Sequence, residues 1–414
     1  MNTVNTNVIS KPAMSGLRGL CLLAAVFMVS GCVSKTVKRV NTTQAVQAQQ
    51  DIPESQLINV NIAVFDPGYT LPVKEESGIF PEVRQAESRF VPYQLRQTLQ
   101  NTGQWGAVRV VPEPIPSSEL LVTGKILESD GEVLALNIRA VDASGREWLN
   151  RDYEELAAEI SYSDPAAKNS EAFQDIYNRI ANDLLALRQS LSAAELQNLR
   201  RLSELRFAAD LGPDAFGTYL KQDDGRYSVV GYPAENDPNL ARIRKIRERD
   251  YGVIDALDQH YGHFESQITP SYDEWRAASY REKANLGKLK RDAITRGIAG
   301  AVAIAAGIYG LTKSDNAVEG TASQAAIIGG AILVKSGFDK NKESKIHAEA
   351  LKELGESLEG EVKPRVIELE NQTVTLSGSA EAQYEEWRSM LREIYANETG
   401  FIPASSQPRE RNDL

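Results

Sequence analysis

The clearest evidence for the fold is the stretch from Glu119 to Glu155, ELLVTGKILESDGEVLALNIRAVDASGREWLNRDYEE. It holds three runs in which apolar and polar residues alternate, and this pattern indicates β-strands. The runs are separated by SDG and DASG, whose residues favour tight turns between neighbouring strands. The sequence therefore predicts consecutive paired strands here, within a larger unit of strands and helices.

Two further strands and two helices flank these runs. Strands are predicted at Ile58–Val64, where apolar and polar residues alternate, and at Gly106–Val111. Helices are predicted from about Pro81 to Asn101 and from Ser170 to Leu191. The order β-α-β-β-β-β-α predicts a mostly antiparallel sheet covered by two helices. The predicted core residues of the strands include Ile62, Val64, Val122 and Leu136.

Four stretches of this unit resemble a known type of domain. They are Asn61–Phe65, Gly103–Val110, Leu120–Ile126 and Ile138–Gly145. They resemble the small α/β domain of two families of bacterial envelope lipoproteins, the curli-secretion lipoprotein and the outer-membrane activators of peptidoglycan synthases. The resemblance covers about residues 57 to 190 and implies a fold and an envelope setting, without a shared substrate. The transmembrane β-hairpins of the curli type are not visible, so its channel is not implied.

The first residues have the pattern of a lipoprotein signal. A basic region precedes an apolar run from Leu20 to Val29, and VSGC follows, ending at Cys32. This ending resembles a bacterial lipobox, which implies cleavage before Cys32 and acyl chains such as palmitate on that residue. Either Met1 or Met14 fits as the start of translation. Because Val33 rather than aspartate follows the cysteine, analogy with enteric lipoproteins implies the outer membrane, facing the periplasm of a Gram-negative bacterium.

The fold class predicted for the whole chain is α+β, with long helices after the N-terminal unit. An amphipathic helix is predicted from Pro238 to Phe264; Pro270 is predicted to break the run, and a second helix to start near Ser271. A small C-terminal ββα unit, at about 366–395, resembles half of the OsmY-like envelope module. The predicted regions are a signal peptide (1–31), a flexible tether (32–56), an α/β envelope-lipoprotein domain (57–191), a mostly helical region (192–296), a glycine-rich apolar helical hairpin (297–337), a helix plus the ββα unit (338–402) and a disordered tail (403–414).

The hairpin region is rich in small residues at helical spacing, a pattern that resembles glycine zippers. Such rows let helices approach closely, either buried in protein or inserted in a membrane. Its apolar arms are shorter than the roughly 20 residues that a membrane-spanning helix needs, and this favours burial in protein. The predicted packing or membrane residues are Gly297, Gly300, Ala303, Gly307, Gly310, Ala322, Ala326, Gly329 and Gly330.

Composition excludes several classes of function. A net charge of -11 argues against nucleic-acid binding. The two cysteines are Cys21, inside the signal, and Cys32, so no disulfide or cysteine nucleophile is expected. His260 and His263, with Asp255 and Asp258 nearby, are the best metal candidate, but Gly262 suggests a fraying helix end and surface histidines are the favoured interpretation. We therefore expect no metal, no cofactor and no catalytic residue.

Two functions remain open from the sequence. The leading one is a non-enzymatic, lipid-anchored periplasmic scaffold or accessory factor that binds a protein partner in a cell-envelope machine for secretion, surface-polymer export or wall synthesis. The alternative is a membrane-active homo-oligomer whose glycine-rich hairpins insert in a bilayer and form a channel or plug. The acid pairs Glu154-Glu155 and Glu385-Glu386 are ordinary on exposed elements, and an enzyme is not expected.

Overall fold

A mixed sheet of five strands lies at the centre of the residues that the computed structural model describes. These residues are 43–70, 79–163, 171–295, 346–353, 355–356, 365–368 and 373–399. The strands are β1 (Val60–Ala63), β2 (Val108–Val111), β3 (Leu120–Ser129), β4 (Val133–Asp142) and β5 (Glu147–Leu156). The first helices are α1 (Pro81–Asn101), the short α2 (Glu159–Ser163) and α3 (Gln174–Gln189). The predicted order β-α-β-β-β-β-α is confirmed, with α2 as an addition.

The pairing of the strands differs from the mostly antiparallel sheet predicted from the sequence. The strand order is β2-β1-β3-β4-β5, and β1 is parallel to both β2 and β3. The pairs β3–β4 and β4–β5 are antiparallel. Parallel neighbours need a crossover connection, which α1 supplies between β1 and β2. The turns between the antiparallel strands contain Gly131 and Gly145, each with a φ of 81°, as the turn signals predicted.

Strand β1 is buried on both faces, although its sequence alternates. All four of its residues are buried, including Asn61, which is 6% exposed. The amide Nδ2 of Asn61 donates to Ser118 Oγ at 2.8 Å. A central parallel strand with layers on both sides has this burial pattern. Ile62, Val122 and Leu136 are fully buried as predicted, whereas Val64 follows the strand and is half-buried.

Helices and two small hairpins make up the rest of the described chain. They are α4 (Ala193–Leu211), α5 (Pro213–Phe216), β6 (Leu220–Asp223), β7 (Arg226–Val229), α6 (Pro238–Thr295), α7 (346–353), β8 (Arg365–Glu368), β9 (Thr373–Leu376) and α8 (Ala380–Thr399). The α+β class is confirmed, and so is the C-terminal ββα unit formed by β8, β9 and α8.

Two hydrophobic cores lie on opposite sides of the β1–β2 end of the sheet. The first core, between the sheet and helices α1 and α3, includes Ile62, Phe90, Val122, Leu136, Ile180, Tyr272 and Trp275. The second core, against the other face, includes Ala63, Val111, Ile246, Leu257, Tyr384, Trp387 and Leu391. Helix α6 contributes to both cores, so it joins the two sides of the sheet.

Helix α6 continues through Pro270, where the sequence predicted a break. A proline inside a helix removes one backbone hydrogen bond and costs about 3 kcal/mol or more. On either side of it, Ile268, Tyr272 and Trp275 are buried in the first core. Burying three large side chains stabilises the continuous helix by more than the proline costs, at about 1.5–3 kcal/mol for each aliphatic or aromatic side chain.

Candidate functional site

The functional residues expected from the sequence lie outside the described residues. These are Cys32 and the nine small residues between Gly297 and Gly330. The structure does describe the chain on both sides of the predicted hairpin, as α6 up to Thr295 and as α7 from residue 346. We therefore take as the candidate site the part of α6 that contacts α1, α7, the turn after β3 and Glu171, and we call this part the root.

Arg276 is the central charged group of this root. It is 3% exposed, and its Nη1 donates to Glu171 Oε1 at 2.5 Å while Nη2 donates to Asp273 Oδ1 at 2.5 Å. Its guanidinium lies 4.4 Å from the centroid of the Tyr272 ring and 5.8 Å from that of Phe173. Burial by itself lowers the pKa of Arg276, but Glu171 and the neighbouring tyrosines outweigh this effect and hold the pKa well above its ordinary value. A buried, paired arginine between rings fixes α6 to the start of α3.

Glu87 on α1 is a second buried charged group at the root. It is fully buried and accepts hydrogen bonds from Ser129 Oγ at 2.5 Å and from Tyr272 Oη at 2.7 Å. Burial raises the pKa of Glu87 above its ordinary value, although Arg84 and these two hydroxyls act in the opposite direction. Through Glu87, helix α1, the end of β3 and helix α6 share one network of hydrogen bonds.

The outer part of the root holds α6 and α7 together. His347 Nδ1 on α7 lies 3.7 Å from Glu274 Oε2 on α6. Ala348 and Leu351 of α7 are buried in the first core. Further along α6, Lys283 forms an ion pair with Asp130 in the turn after β3. Residues 346–353, which lie in the region 338–402 where the sequence predicts a helix, thus form a helix beside α6.

Sequence reasoning did not identify the buried charges of the root. Arg276 follows the buried Trp275 and comes four residues after Tyr272, so it shares a helix face with an aromatic residue. The sequence signal that could have identified Arg276 is therefore a basic residue placed one helical turn after an aromatic residue. Its partner Glu171 is 105 residues away in the sequence, and no local pattern connects them.

The second core contains its own buried acidic groups, and each has a partner. Asp250 is 3% exposed and accepts from Trp387 Nε1 at 3.1 Å. Glu119 is 5% exposed and accepts from the backbone N–H of Asn59 at 2.9 Å. Burial raises the pKa of both carboxyl groups, although nearby arginines and these hydrogen bonds act in the opposite direction. The bond of Asp250 connects α6 to α8. The bond of Glu119 connects the residue before β1 to the residue before β3.

A polar cleft of about 500 Å³ opens beside the second core. One wall is the loop 113–116, and the other is helix α8 with Arg388 and Arg392. Both arginines form ion pairs with Asp210 at the end of α4. Their Nη2 atoms lie 2.5 Å (Arg388) and 3.5 Å (Arg392) from its carboxylate oxygens. The hydroxyl of Tyr384 lines this region without a hydrogen-bond partner among the described residues. Charges of both signs border the cleft, so its geometry favours no single ligand.

The histidine pair considered as a metal candidate lies inside α6. Asp258 Oδ1 accepts from the backbone N–H of Val110 at 2.8 Å, and Asp255 pairs with Arg109 at 2.5 Å. The two acidic residues therefore bind the edge strand β2, Asp258 through the backbone of Val110 and Asp255 through the side chain of Arg109. In the part of the chain that the structure describes, no group of three or more histidine, cysteine, aspartate or glutamate side chains is placed to hold a metal ion.

Gly262 lies between these histidines, but it marks a helix contact and not a fraying helix end. The residue is within α6, and a Cβ atom there would lie 2.3 Å from the Tyr93 hydroxyl of α1. The missing side chain thus lets the end of the Tyr93 ring pack against α6. The sequence pattern could not separate this role from a helix end, because glycine serves both.

The two members of the first acid pair have different environments. Glu154 is exposed, whereas Glu155 accepts a hydrogen bond of 2.6 Å from the backbone N–H of Ile176 in the first turn of α3. Burial raises the pKa of Glu155 to about 7, with Asp175 and Glu171 adding to the effect and the Ile176 bond opposing it. This carboxyl group is therefore a structural cap that titrates near neutral pH.

Residues 43–56 belong to the predicted flexible tether but are bound to the folded unit. Asn178 Nδ2 and Asn182 Nδ2 on α3 donate to the carbonyl oxygens of Thr43 and Gln44, each at 2.9 Å. The backbone N–H of Val46 donates to Asn182 Oδ1 at 2.9 Å. Backbone groups of the extended segment make these contacts. Its side chains therefore need no periodic pattern of apolar residues, and the sequence does not reveal the binding. The prediction of a flexible tether is corrected for this part.

Comparisons with protein-family models, with curated proteins and with solved structures find no match. Among the described helices, none has both the length and the apolar character that crossing a bilayer requires.

Proposed function

We propose that the chain is a non-enzymatic scaffold or accessory factor of a cell-envelope machine, such as one for secretion, surface-polymer export or wall synthesis. In this proposal acyl chains on Cys32 hold it in the outer membrane of a Gram-negative bacterium, and the folded unit faces the periplasm and binds a protein partner. The lipobox-like VSGC before residue 33 supports the anchor, and the resemblance of residues 57–190 to envelope lipoprotein domains supports the compartment.

The observation that carries the scaffold role is the continuity of α6. Its 58 residues correspond to about 87 Å at 1.5 Å per residue, and the helix passes through the second core and then the first. Arg276 and Glu87 fix it at the root, and α6 continues from there to Thr295. A long helix held by two cores is suited to presenting a distant segment to a partner at a defined position.

The buried charged groups also support a mechanical role. Glu171, Glu87, Asp250 and Glu119 are each engaged by groups of the same unit. A general acid or base has to reach a substrate, and these four join elements of the fold instead. None of these four carboxyl groups is placed to act on a substrate, so the proposal assigns binding and positioning to the chain.

The test uses the full chain in two forms, wild type and Cys32→Ala, and follows flotation with vesicles. We expect the wild type, labelled by a palmitate analogue, to float. We expect the Cys32→Ala chain to be unlabelled and either to stay in solution or to remain as an uncleaved precursor. Label that persists on Cys32→Ala, or a wild type without label, would overturn the lipid anchor.

The same experiment decides the alternative of a membrane-active oligomer. The small and apolar composition of 297–337 supports that alternative. If a Cys32→Ala chain that lacks residues 1–31 floats with vesicles and resists alkaline extraction, the chain enters the bilayer without its lipid or its signal, and the scaffold proposal fails. The exposed substitution Gln189→Ala serves as the matched control for handling and expression.

A further inference from the structure

Residues 43–48, called the strap below, run along α3 as an extended segment. Four contacts of the strap involve α3 side chains: the three bonds of Asn178 and Asn182 described above, and a hydrogen bond from the Thr43 backbone N–H to Asp175 Oδ1. A fifth bond joins Ala48 N to Thr102 O at 2.8 Å, beyond the end of α1. The two asparagines are four residues apart and lie on one face of α3.

The hydrogen bonds between the strap and the folded unit use backbone groups of the strap. Apart from the amide-to-amide bond at Ala48, each bond joins an α3 side chain to a backbone group of the strap. Val46 is 50% exposed, so burial of apolar surface contributes little. Hydrogen bonds of this kind contribute about 0.5–1.5 kcal/mol each, so the strap is held by a few weak bonds and is open to release.

The place where the strap begins limits the reach of a lipid anchor. Eleven residue steps separate Cys32 from Thr43, and a fully extended chain spans at most about 3.6 Å per residue, or about 40 Å in total. If the strap is released, the next fixed backbone group is the carbonyl of Glu54, which accepts from Arg200 Nη1 at 2.8 Å. That residue lies twenty-two steps from Cys32, which corresponds to about 80 Å.

We propose that the strap is a reach-setting device: docked on α3, it halves the maximum distance between the lipid anchor and the folded unit, and its release doubles that distance. The inference rests on the proposed anchor at Cys32. The docked state holds the first turns of α3 within about 40 Å of the bilayer surface. The released state lets the same unit work at about twice that range, without any change in its two cores.

The first test measures docking in the full chain without lipid, using Cys32→Ala as background. Amide hydrogen exchange is followed at Ala48, whose partner Thr102 is left unchanged, and at Ile62 in β1 as a reference. We expect Asn178→Ala combined with Asn182→Ala to speed exchange at Ala48 by about tenfold or more, with Ile62 unaffected. Gln189→Ala, at an exposed position of α3 away from the strap, should leave both rates unchanged.

An unprotected Ala48 amide in the background chain, exchanging as fast as in the double variant, would overturn docking. A slower or unchanged rate in the double variant, with Ala48 protected in both, would show that the asparagines do not hold the strap and would also overturn the inference. Both results are read without lipid, so they are independent of the anchor.

The second test measures reach in the lipidated chain bound to vesicles of phosphatidylethanolamine and phosphatidylglycerol. A donor dye is placed on Val230→Cys, an exposed position, and energy transfer to acceptor-labelled lipid head groups is recorded. Both natural cysteines lie at or before residue 32, so this label is unique in the lipidated form. We expect lower transfer in the double asparagine variant than in the wild type and in Gln189→Ala.

Insertion of twenty glycine and serine residues before Thr43 in the wild type provides the positive control, because it lengthens the tether with the strap docked. If the insertion lowers transfer and the double variant does not, the strap does not set the reach. A wild type that fails to bind vesicles would instead overturn the proposed anchor, while the exchange experiment still decides docking.

Discussion

The two cores on either side of β1 are assembled from different ranges of the sequence. The first is formed largely by residues 58–199, with α6 and α7 added at its edge. The second joins the short strands β1 and β2 to helices that begin at Ala193 or later. The bond between Asp250 and Trp387, for example, spans 137 residues. Periodicity therefore predicts the first core, because most of its elements follow one another in the sequence. The second core joins distant elements, and no local pattern predicts which of them meet.

Helix α6 connects the two cores, so we expect them to unfold together. Its residues Ile246 and Leu257 belong to the second core, and Tyr272 and Trp275 to the first. A single helix cannot lose its packing in one core without weakening its hold in the other. Four sets of variants test whether the two cores are coupled and how each is held together.

The largest effect is expected for Trp387→Ala in the second core. It removes a fully buried side chain and leaves Asp250 without its indole donor. We expect the free energy of unfolding to fall by about 3–5 kcal/mol, measured by urea denaturation. The exposed neighbour Glu386→Ala is the control. Separate transitions for the two cores, with the first at its wild-type midpoint, would contradict their coupling through α6.

In the first core, Arg276→Met should destabilise by about 3 kcal/mol, because it leaves the carboxylate of Glu171 buried and unpaired. Adding Glu171→Gln to this variant should recover part of the loss. The control is Lys221→Met, which breaks an exposed ion pair with Asp223 and should change stability by less than about 1 kcal/mol. Equal losses for Arg276→Met and Lys221→Met would show that the root is not held by its buried charge.

Two glycines of α6 offer a matched pair of smaller substitutions. Gly252 has open space where a Cβ atom would be, so Gly252→Ala should stabilise the chain by about 0.5–1 kcal/mol through helix propensity. Gly262→Ala places the same atom 2.3 Å from the Tyr93 hydroxyl and should lose that gain. Thermal unfolding of both variants checks this. Equal stabilisation would mean that α1 and α6 do not depend on the close contact.

The last prediction concerns the pH dependence of stability at the start of α3. Burial raises the pKa of Glu155 to about 7 from its ordinary value of 4.5, so the folded state retains a proton that the unfolded state has lost in this range. The free energy of unfolding should therefore fall as pH rises from 4.5 to 7, and Glu155→Gln should remove this contribution. Denaturation across that range measures it, with exposed Glu154→Gln as the control. A pH profile that Glu155→Gln leaves unchanged would contradict the raised pKa.

Much of the local structure is predictable from particular residues. The SDG and DASG turns and the helical spacing of Tyr384, Trp387 and Leu391 all correspond to observed elements. Asn61 shows the limit, because its alternation with valine and isoleucine indicated an exposed face. The second layer that buries it comes from helices far along the chain, and a single-strand pattern contains no information about them.

The candidate site was less predictable than the fold. The residues first expected to carry function, Cys32 and the small residues of 297–337, lie outside the described part, so they stay predictions. The strap had been assigned to a flexible tether because it is polar, yet its backbone is what α3 binds. Hydropathy patterns report side chains, and they do not detect recognition of the main chain.

Periodicity and turn chemistry act over a few residues, and they are enough to predict the order of the N-terminal strands and helices, the turns between the antiparallel strands and the C-terminal ββα unit. Local patterns do not predict that β1 pairs in parallel on both sides, that α6 passes through Pro270, or that Arg276 is buried against Glu171. In each case the stabilising partners lie far away in the sequence, and burial against them outweighs the local preference of the chain.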